Sequence, residues 1–182
     1  MTDRSDQNYM DMLTNNTINP PASRNAISTA SKEEGSAVKQ FTDLTVDLEN
    51  ATRGLTYPSE SDEPYTVVQL EYEKSTLPSD DEFPAIAAQE NPSLRGKRCR
   101  SQTLDEFMAS LENHDYQPQK EQYKRLREVL RGLKEVRVYR VGERAGFEDE
   151  KSEGIGGKIW IYILGYVDGV GLMGVKTLAI AT

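Results

Sequence analysis

The sequence contains very few of the side chains that perform most protein chemistry. A single cysteine, Cys99, excludes an intramolecular disulfide framework and a zinc site built from several cysteines. A single histidine, His114, excludes chemistry that needs two imidazoles. No apolar run reaches the roughly 18–20 residues of a membrane span, and the first residues lack the apolar segment of a secretory signal. We therefore expect a soluble, cytoplasmic protein with little catalytic equipment and no membrane partner.

Basic residues are also in deficit. The chain has 22 Lys+Arg against 30 Asp+Glu, a formal net charge of −8. Binding to a phosphate backbone depends on Lys and Arg that displace counterions, so this balance argues against a direct nucleic-acid partner. The acidic excess is concentrated, because residues 58–90 hold nine acidic side chains and one basic side chain, Lys74. Such a segment is either a solvated loop or a surface complementary to a basic cleft.

Composition divides the chain near residue 36. Residues 1–35 are rich in Asn, Ser, Thr and Asp and contain Pro20-Pro21. They offer few apolar groups to bury, so they cannot offset the entropy cost of ordering, and we predict a disordered tail. Residues 36–182 form the predicted folded domain, which is long enough for a hydrophobic core.

Hydrophobic periodicity predicts three helices and four strands within this domain. A T-x-x-E capping box, Thr103 and Glu106, opens the second helix. The segment 159–167 is apolar on both faces, which predicts a central strand covered on both sides. Residues 74–100 form a long connector that is either partly disordered or shaped for a purpose, with Phe83 and Ile86 tacking it to the body. The predicted fold is a mixed sheet with helices on its faces. The predicted helices begin at Ser36, Leu104 and about Lys120, and the predicted strands are 65–73, 136–142, 159–167 and 171–182, with a hairpin at Asp168-Gly169.

Enzymatic interpretations have little support. Cys99 lies in the basic stretch RGKRCR, where neighbouring cations could lower its pKa, or it is a solvent-exposed cysteine on a loop. His114 stands on a polar turn, and the sequence indicates no nucleophile that it would activate. The stretch GIGGK lacks the spacing of a phosphate-binding loop. A hydrolase or redox enzyme that uses Cys99 or His114 is the least favoured interpretation.

Three segments, in order along the chain, resemble the nuclease A inhibitor family. The first is residues 51–73, where a Gly-Leu pair precedes a Ser-Glu-Ser turn and a Pro-aromatic strand. The second is VYRVGE at 138–143, after an amphipathic helix, and the third is IYILGYVDGVGLMGVKTLAIAT at 161–182. The residues that carry the first match are Gly54, Leu55, Ser59, Glu60, Ser61, Pro64 and Tyr65.

The resemblance implies a fold and a function. It implies a three-layer α/β/α sandwich whose sheet is mixed but mostly antiparallel. It also implies a protein without catalysis or a cofactor, which inhibits a Mg²⁺-dependent, sugar-nonspecific endonuclease as a monomer in a 1:1 complex. Such inhibitors plug the enzyme's active-site cleft, where their acidic groups mimic the phosphate backbone. The expected partner is therefore a nonspecific endonuclease.

The same resemblance assigns two contact residues. Glu60 corresponds to the family's glutamate that contacts an active-site arginine, and a carboxylate opposite Arg forms a strong, charge-assisted bond. Thr182 corresponds to the C-terminal threonine that reaches the partner's Mg²⁺ through water, so the inhibitor needs no metal of its own. The connector 113–118 does not align with the family, and Tyr116 and Gln117 are only candidate contacts there. The alternative is an acidic binding module of the same fold with a different basic partner.

Overall fold

The computed structural model describes residues 41–112, 119–143 and 157–181. Several features predicted from the sequence lie outside these ranges. They are the tail 1–35, the start of the first helix, the turn with His114, residues 154–156 of the glycine-rich stretch, and Thr182. Within them, α1 comprises residues 41–52. The other helices are α2 (Phe83–Ala87), α3 (Leu104–Glu112) and α4 (Lys120–Arg131), with a short 3-10 turn at Pro92–Leu94. The strands are β1 (Thr66–Leu70), β2 (Arg98–Thr103), β3 (Lys134–Gly142), β4 (Gly157–Val167) and β5 (Gly171–Ala181).

The described strands form one five-stranded sheet in the order β1-β5-β4-β3-β2. β4 occupies the middle, which confirms the interpretation of its two apolar faces. Every neighbouring pair is antiparallel, so the expected mixed sheet is wrong. The reason lies in the connections: β3, β4 and β5 follow one another as neighbours, and two consecutive helices between β2 and β3 return the chain in the opposite direction. The α/β class is confirmed.

The strand β2 was missed because its sequence, RCRSQT, has no apolar alternation. It is the last strand on one side of the sheet and pairs with β3 from Arg98↔Gly142 to Thr103↔Arg137. An outer strand needs few buried side chains, because its pairing bonds are made by the backbone. Its position also ends the predicted connector at residue 97.

Apolar side chains pack against the sheet in two clusters. One cluster joins strand residues such as Val138, Ile163 and Val175 to α1, α3 and α4. The other joins Tyr139 and Tyr162 to the connector. Neighbours such as Val138 and Tyr139 point to opposite faces of a strand, so the clusters lie on opposite faces of the sheet. The three-layer sandwich itself stays a prediction.

The connector has a defined structure and packs on the sheet, which agrees with the second of the two sequence interpretations. Phe83 is fully buried, with its ring stacked on Tyr139 at a centroid distance of 4.0 Å and edge-on to Tyr162 at 5.3 Å. Ile86 packs on the same cluster. The capping box is also confirmed, since the Glu106 carboxylate accepts bonds from the backbone N–H and hydroxyl of Thr103 at 2.9 and 2.8 Å. The hairpin at Asp168-Gly169 joins β4 to β5, with Gly169 at φ 76°.

Candidate protein-binding surface

Residues 58–63, PSESDE, form the acidic turn, a reversal of the chain between α1 and β1. The two arms of the reversal meet in an antiparallel bridge between Thr56 and Pro64. The Tyr57 N–H donates to the Glu63 carbonyl at 2.8 Å, and the Asp62 N–H donates to the Ser59 carbonyl at 3.2 Å. These bonds define the backbone path of the turn.

The tip of the acidic turn faces solvent. Glu60, Ser61 and Asp62 are exposed, and the hydroxyls of Ser59 and Ser61 lie 3.4 Å apart. Asp62 has φ 46°, a left-handed conformation that aspartate tolerates better than most residues. The turn therefore presents three carboxylates within four residues, on a backbone that its own hydrogen bonds constrain. The sequence-predicted contact residue Glu60 is placed on this exposed tip.

Two side chains at the start of α4, from Tyr123 in the helix and from Gln119 just before it, hold the base of the turn. The Thr56 N–H donates to the Gln119 side-chain oxygen at 3.3 Å, and the Gln119 amide donates to the Thr56 hydroxyl at 3.0 Å. The Tyr123 hydroxyl donates to the Thr56 carbonyl at 2.5 Å. Thr56, at the base of the turn, is thus hydrogen-bonded through its N–H, its carbonyl and its hydroxyl.

An aromatic group supports the turn from below. The Tyr57 ring stacks on Phe107 at a centroid distance of 6.1 Å and lies edge-on to Tyr65 at 6.5 Å. Its hydroxyl accepts a bond from the Arg140 guanidinium at 3.3 Å. Burial, together with the neighbouring Tyr123, raises the pKa of Tyr65 well above its usual value, so this group stays neutral. The acidic turn therefore rests on packed aromatic rings, with the Arg140 guanidinium bonded to one of them.

The turn is also attached to β5. The Thr177 hydroxyl, on a residue that is 2% exposed, donates to the Glu63 carbonyl at 3.1 Å. From Thr177 the strand continues to Ala181. The residue after it, Thr182, lies outside the described residues, so its proximity to Glu60 stays a prediction. The hydrogen bond between Thr177 and Glu63 nevertheless places Glu63, the last residue of the turn, beside the final segment of β5.

A family model described as NuiA-like matches residues 4–180. The chain belongs to this family. The NuiA-like match begins well before the predicted domain boundary at residue 36 and ends two residues before Thr182. No curated protein matches the chain. Membership in the NuiA-like family confirms the resemblance to nuclease A inhibitors and supports an inhibitor as the general function.

The structure argues against reactivity at Cys99 in this NuiA-like protein. Burial raises the pKa of the Cys99 thiol to about 12, and the nearby carboxylates of Asp80 and Asp81 raise it further. The suggestion that neighbouring cations lower this pKa is therefore wrong. The alternative, a solvent-exposed loop cysteine, is also wrong, because Cys99 lies in β2 and is only partly exposed. It packs against the tyrosine-containing cluster, on the strand face opposite that of Arg98 and Arg100. His114 lies outside the described residues, so its role is not tested.

The described ranges offer neither a metal centre nor a membrane span. Among the side chains placed in them, no three His, Cys, Asp or Glu residues converge in an arrangement that could hold a metal ion. The described helices are all too short or too polar to cross a bilayer.

Sequence reasoning identified the acidic turn and missed the residues that hold it. Gln119 is 63 positions from Thr56, and no local pattern marks it. Tyr123 was predicted only as part of an apolar helix face, and its hydroxyl role could not be deduced from periodicity. Thr177 was predicted as an ordinary strand residue. Tyrosine and threonine on otherwise apolar faces were the only signals, because each buried hydroxyl needs a hydrogen-bond partner.

Proposed function

We propose that this NuiA-like protein inhibits a Mg²⁺-dependent, sugar-nonspecific endonuclease by inserting the acidic turn into its active-site cleft. The observation that carries the proposal is the exposed, acidic tip on a base bonded to α4 and β5. A nuclease cleft that holds a phosphate backbone is electropositive, and complementary charge steers such partners together. An ordered turn also loses less conformational entropy on binding than a solvated loop would.

In this proposal Glu60 replaces a phosphate group of the substrate. Its carboxylate would accept a charge-assisted, bidentate bond from an arginine of the nuclease. Asp62 and Glu63 lie in the same turn and contribute to the negative potential that attracts the enzyme. The inhibitor itself catalyses nothing, and the complex contains one copy of each protein.

Thr182 has a second role in the proposal. Its oxygens would approach the Mg²⁺ of the nuclease through water, since a hard cation prefers oxygen ligands and often retains its waters. The contact between Thr177 and the Glu63 carbonyl supports this arrangement, because it places the final segment of β5 next to the turn. We further propose the three-layer α/β/α arrangement and a cytoplasmic location for the protein.

The experiment is an inhibition titration against a purified sugar-nonspecific, Mg²⁺-dependent endonuclease with plasmid DNA as substrate. Glu60→Gln removes the charge and keeps the shape of the side chain. Glu73→Gln makes the same chemical change at another exposed glutamate, outside the turn, and serves as the matched control. We expect Glu60→Gln to weaken inhibition by about 2–5 kcal/mol, the usual cost of leaving a buried cation unpaired.

Two outcomes would contradict the proposal. Absence of inhibition by the wild-type protein would favour the alternative, an acidic binding module with a different basic partner. Equal inhibition by wild type and a folded Glu60→Gln variant would keep the function but show that the Glu60 charge makes no contact in the interface. Circular dichroism of both variants establishes that each has retained its fold.

A further inference from the structure

The basic run RGKRCR, which the proposed function leaves without a role, is divided between the two faces of β2. Side chains alternate along a strand, so Arg98 and Arg100 share one face. Arg100 lies opposite Arg140 of β3, and the Arg140 guanidinium donates to the Tyr57 hydroxyl in the cluster that contains α1, α3 and α4. Arg98 and Arg100 therefore belong to the helix-covered face of the sheet.

The cover on this face decreases along β2. Beside Gln102, the paired strand residues Val138 and Ile163 are fully buried. Two residues earlier in β2, Arg100 is exposed, and Arg98, two residues earlier again, is exposed as well. Arg98 takes part in none of the ion pairs formed between described residues. The two arginines of β2 are thus presented to solvent at that end of the sheet.

Arg100 and Arg140 are like charges placed side by side. They lie directly opposite each other on antiparallel strands, where Cβ atoms are about 4.5–5.5 Å apart and like charges are destabilising. Arg98 follows on the same face at a backbone spacing of about 7 Å. Together these three residues form the arginine cluster. An arrangement that breaks a local rule of stability is expected where a surface has a function.

The arginine cluster adjoins the acidic turn. Tyr57, which accepts from the Arg140 guanidinium at 3.3 Å, is the residue just before the turn. Arg140 also lies opposite Ile161 of β4, which in turn lies opposite Thr177 of β5. The Thr177 hydroxyl bonds to the carbonyl of Glu63, the last residue of the turn. Both ends of the acidic turn are thus attached to the row of the sheet that contains the arginine pair.

The surface around the turn therefore carries both signs of charge. A partner that is positive throughout would be attracted by the acidic turn and repelled by the arginine cluster, since like charges across an interface cost free energy. A partner that has a basic cleft with an acidic segment beside it would match both regions. The arginine cluster also adds specificity, because it disfavours other basic surfaces that the turn alone would attract.

The chemistry of the cluster favours protein carboxylates over nucleic acid. The chain carries a net charge of −8, which repels a polyanion at long range. Three arginines would also release few counterions from a phosphate backbone, so that binding would be weak. Carboxylates of a protein that is already held by the acidic turn need no such attraction at long range. An arginine binds a carboxylate through two parallel hydrogen bonds, which suits this role.

We infer that the arginine cluster binds an acidic segment of the nuclease beside its active-site cleft. The inference rests on the proposed function, because it assigns a second contact to the same partner. The acidic turn recognises the cations of the cleft, and Arg98, at the exposed end of the cluster, bonds to carboxylates at the margin of the cleft. Arg100 and Arg140 add to the positive potential that selects this segment.

The first test compares two arginines that lie on opposite faces of the sheet. Arg98→Gln removes a charge from the cluster. Arg137→Gln removes the same charge from an exposed residue of β3 that points to the other face, because it precedes Val138. The two variants have equal net charge, so a weaker overall field cannot separate them. We expect Arg98→Gln to raise the Kd for a purified sugar-nonspecific endonuclease about tenfold above that of Arg137→Gln, measured by calorimetry.

The second test identifies the partner's groups. Arg98→Lys places a primary amine at the exposed end of the cluster, and Arg137→Lys places one on the opposite face as the control. A water-soluble carbodiimide joins an amine to a carboxylate that contacts it. Mass spectrometry of the digested complex should link position 98, and not position 137, to a peptide of the endonuclease through an Asp or Glu residue. A link from neither position would contradict the inference.

The outcomes of the first test separate this inference from the proposed function. If Arg98→Gln and Arg137→Gln bind equally while Glu60→Gln binds more weakly, the inference is overturned and the proposed function stands. If Arg98→Gln self-associates in light scattering but binds the endonuclease like Arg137→Gln, the arginine only protects an outer strand, which also overturns the inference.

Two further outcomes concern the partner itself. If the isolated wild-type protein binds a short DNA duplex and Arg98→Gln abolishes that binding, the cluster recognises nucleic acid, and the inference is overturned. If the wild-type protein does not bind the endonuclease at all, the proposed function fails and the inference fails with it. Circular dichroism of each variant establishes that its fold is retained.

Discussion

Gln119 and Thr56 are 63 residues apart in the sequence and are joined side chain to backbone at the base of the acidic turn. The Gln119 side chain both accepts from the Thr56 N–H and donates to its hydroxyl, at 3.3 and 3.0 Å. The start of α4 is thereby connected to a turn that follows α1. The candidate binding surface is thus held in place by a residue outside the turn itself.

Gln119→Ala should loosen the acidic turn without changing the charge of the protein. We expect faster amide exchange at Tyr57 and Asp62, and a loss of stability of about 0.5–1.5 kcal/mol for each lost hydrogen bond. Inhibition of the endonuclease should weaken mainly through faster dissociation. Gln69→Ala, at an exposed strand position, is the control. Unaltered exchange across the turn in Gln119→Ala would show that this contact does not position it.

Two buried tyrosines provide a matched pair for a stability test. The Tyr139 hydroxyl donates to the Pro78 carbonyl at 2.8 Å, whereas the Tyr162 hydroxyl is buried and has no hydrogen-bond partner among the residues that the structure describes. Tyr139→Phe should therefore lower the free energy of unfolding by about 0.5–1.5 kcal/mol. Tyr162→Phe should leave it unchanged or raise it, because it removes an unpaired polar group. Urea titrations of both variants measure the difference, and a larger loss from Tyr162→Phe would contradict the assignment.

Tyr162 also predicts how the stability of the folded protein responds to alkali. Burial raises the pKa of Tyr162 to about 12, against 10.0 for an ordinary tyrosine, so the folded protein holds this proton more tightly. The contribution of this raised pKa to the free energy of unfolding is fully present below about pH 10 and is lost as the pH rises through about 12. Tyr162→Phe should therefore resist alkaline unfolding better than wild type. Circular dichroism against pH tests this, and identical midpoints would contradict it.

Cys99 should behave as a hidden thiol. Because burial and two nearby aspartates raise its pKa to about 12, almost none of it is thiolate near neutral pH. We expect slow reaction with a nitrophenyl disulfide reagent in the native state and fast reaction in guanidinium chloride, since only the thiolate attacks. Cys99→Ser should leave inhibition unchanged. Rapid native labelling would show that the thiol is accessible and ionised.

Residues added after Thr182 should interfere with inhibition. The added residues would introduce bulk where the proposal places the partner's metal ion. The same tag before Met1 should have no effect, and both proteins should have the melting temperature of the untagged one. Full inhibition by the protein tagged after Thr182 would remove this residue from the interface.

The sequence by itself determined those features whose signals are local. Periodicity marked α3 and α4, the Thr103–Glu106 box marked the start of α3, and two apolar faces marked β4 as the central strand. The acidic turn was visible from its composition alone. Each of these depends on residues within about one helical turn or one strand, because propensity, capping and amphipathicity act over that distance.

Only the tertiary structure decided which distant groups meet. β2 is a strand because its backbone pairs with β3, and nothing in RCRSQT signals that pairing. The basic neighbours of Cys99 suggested a low pKa, but the fold turned its side chain toward apolar residues and two aspartates, and its pKa rose instead. Likewise, Gln119 came to hold Thr56 only when α4 packed beside the turn. Long-range pairing, burial and solvation belong to the folded chain, so no local pattern encodes them.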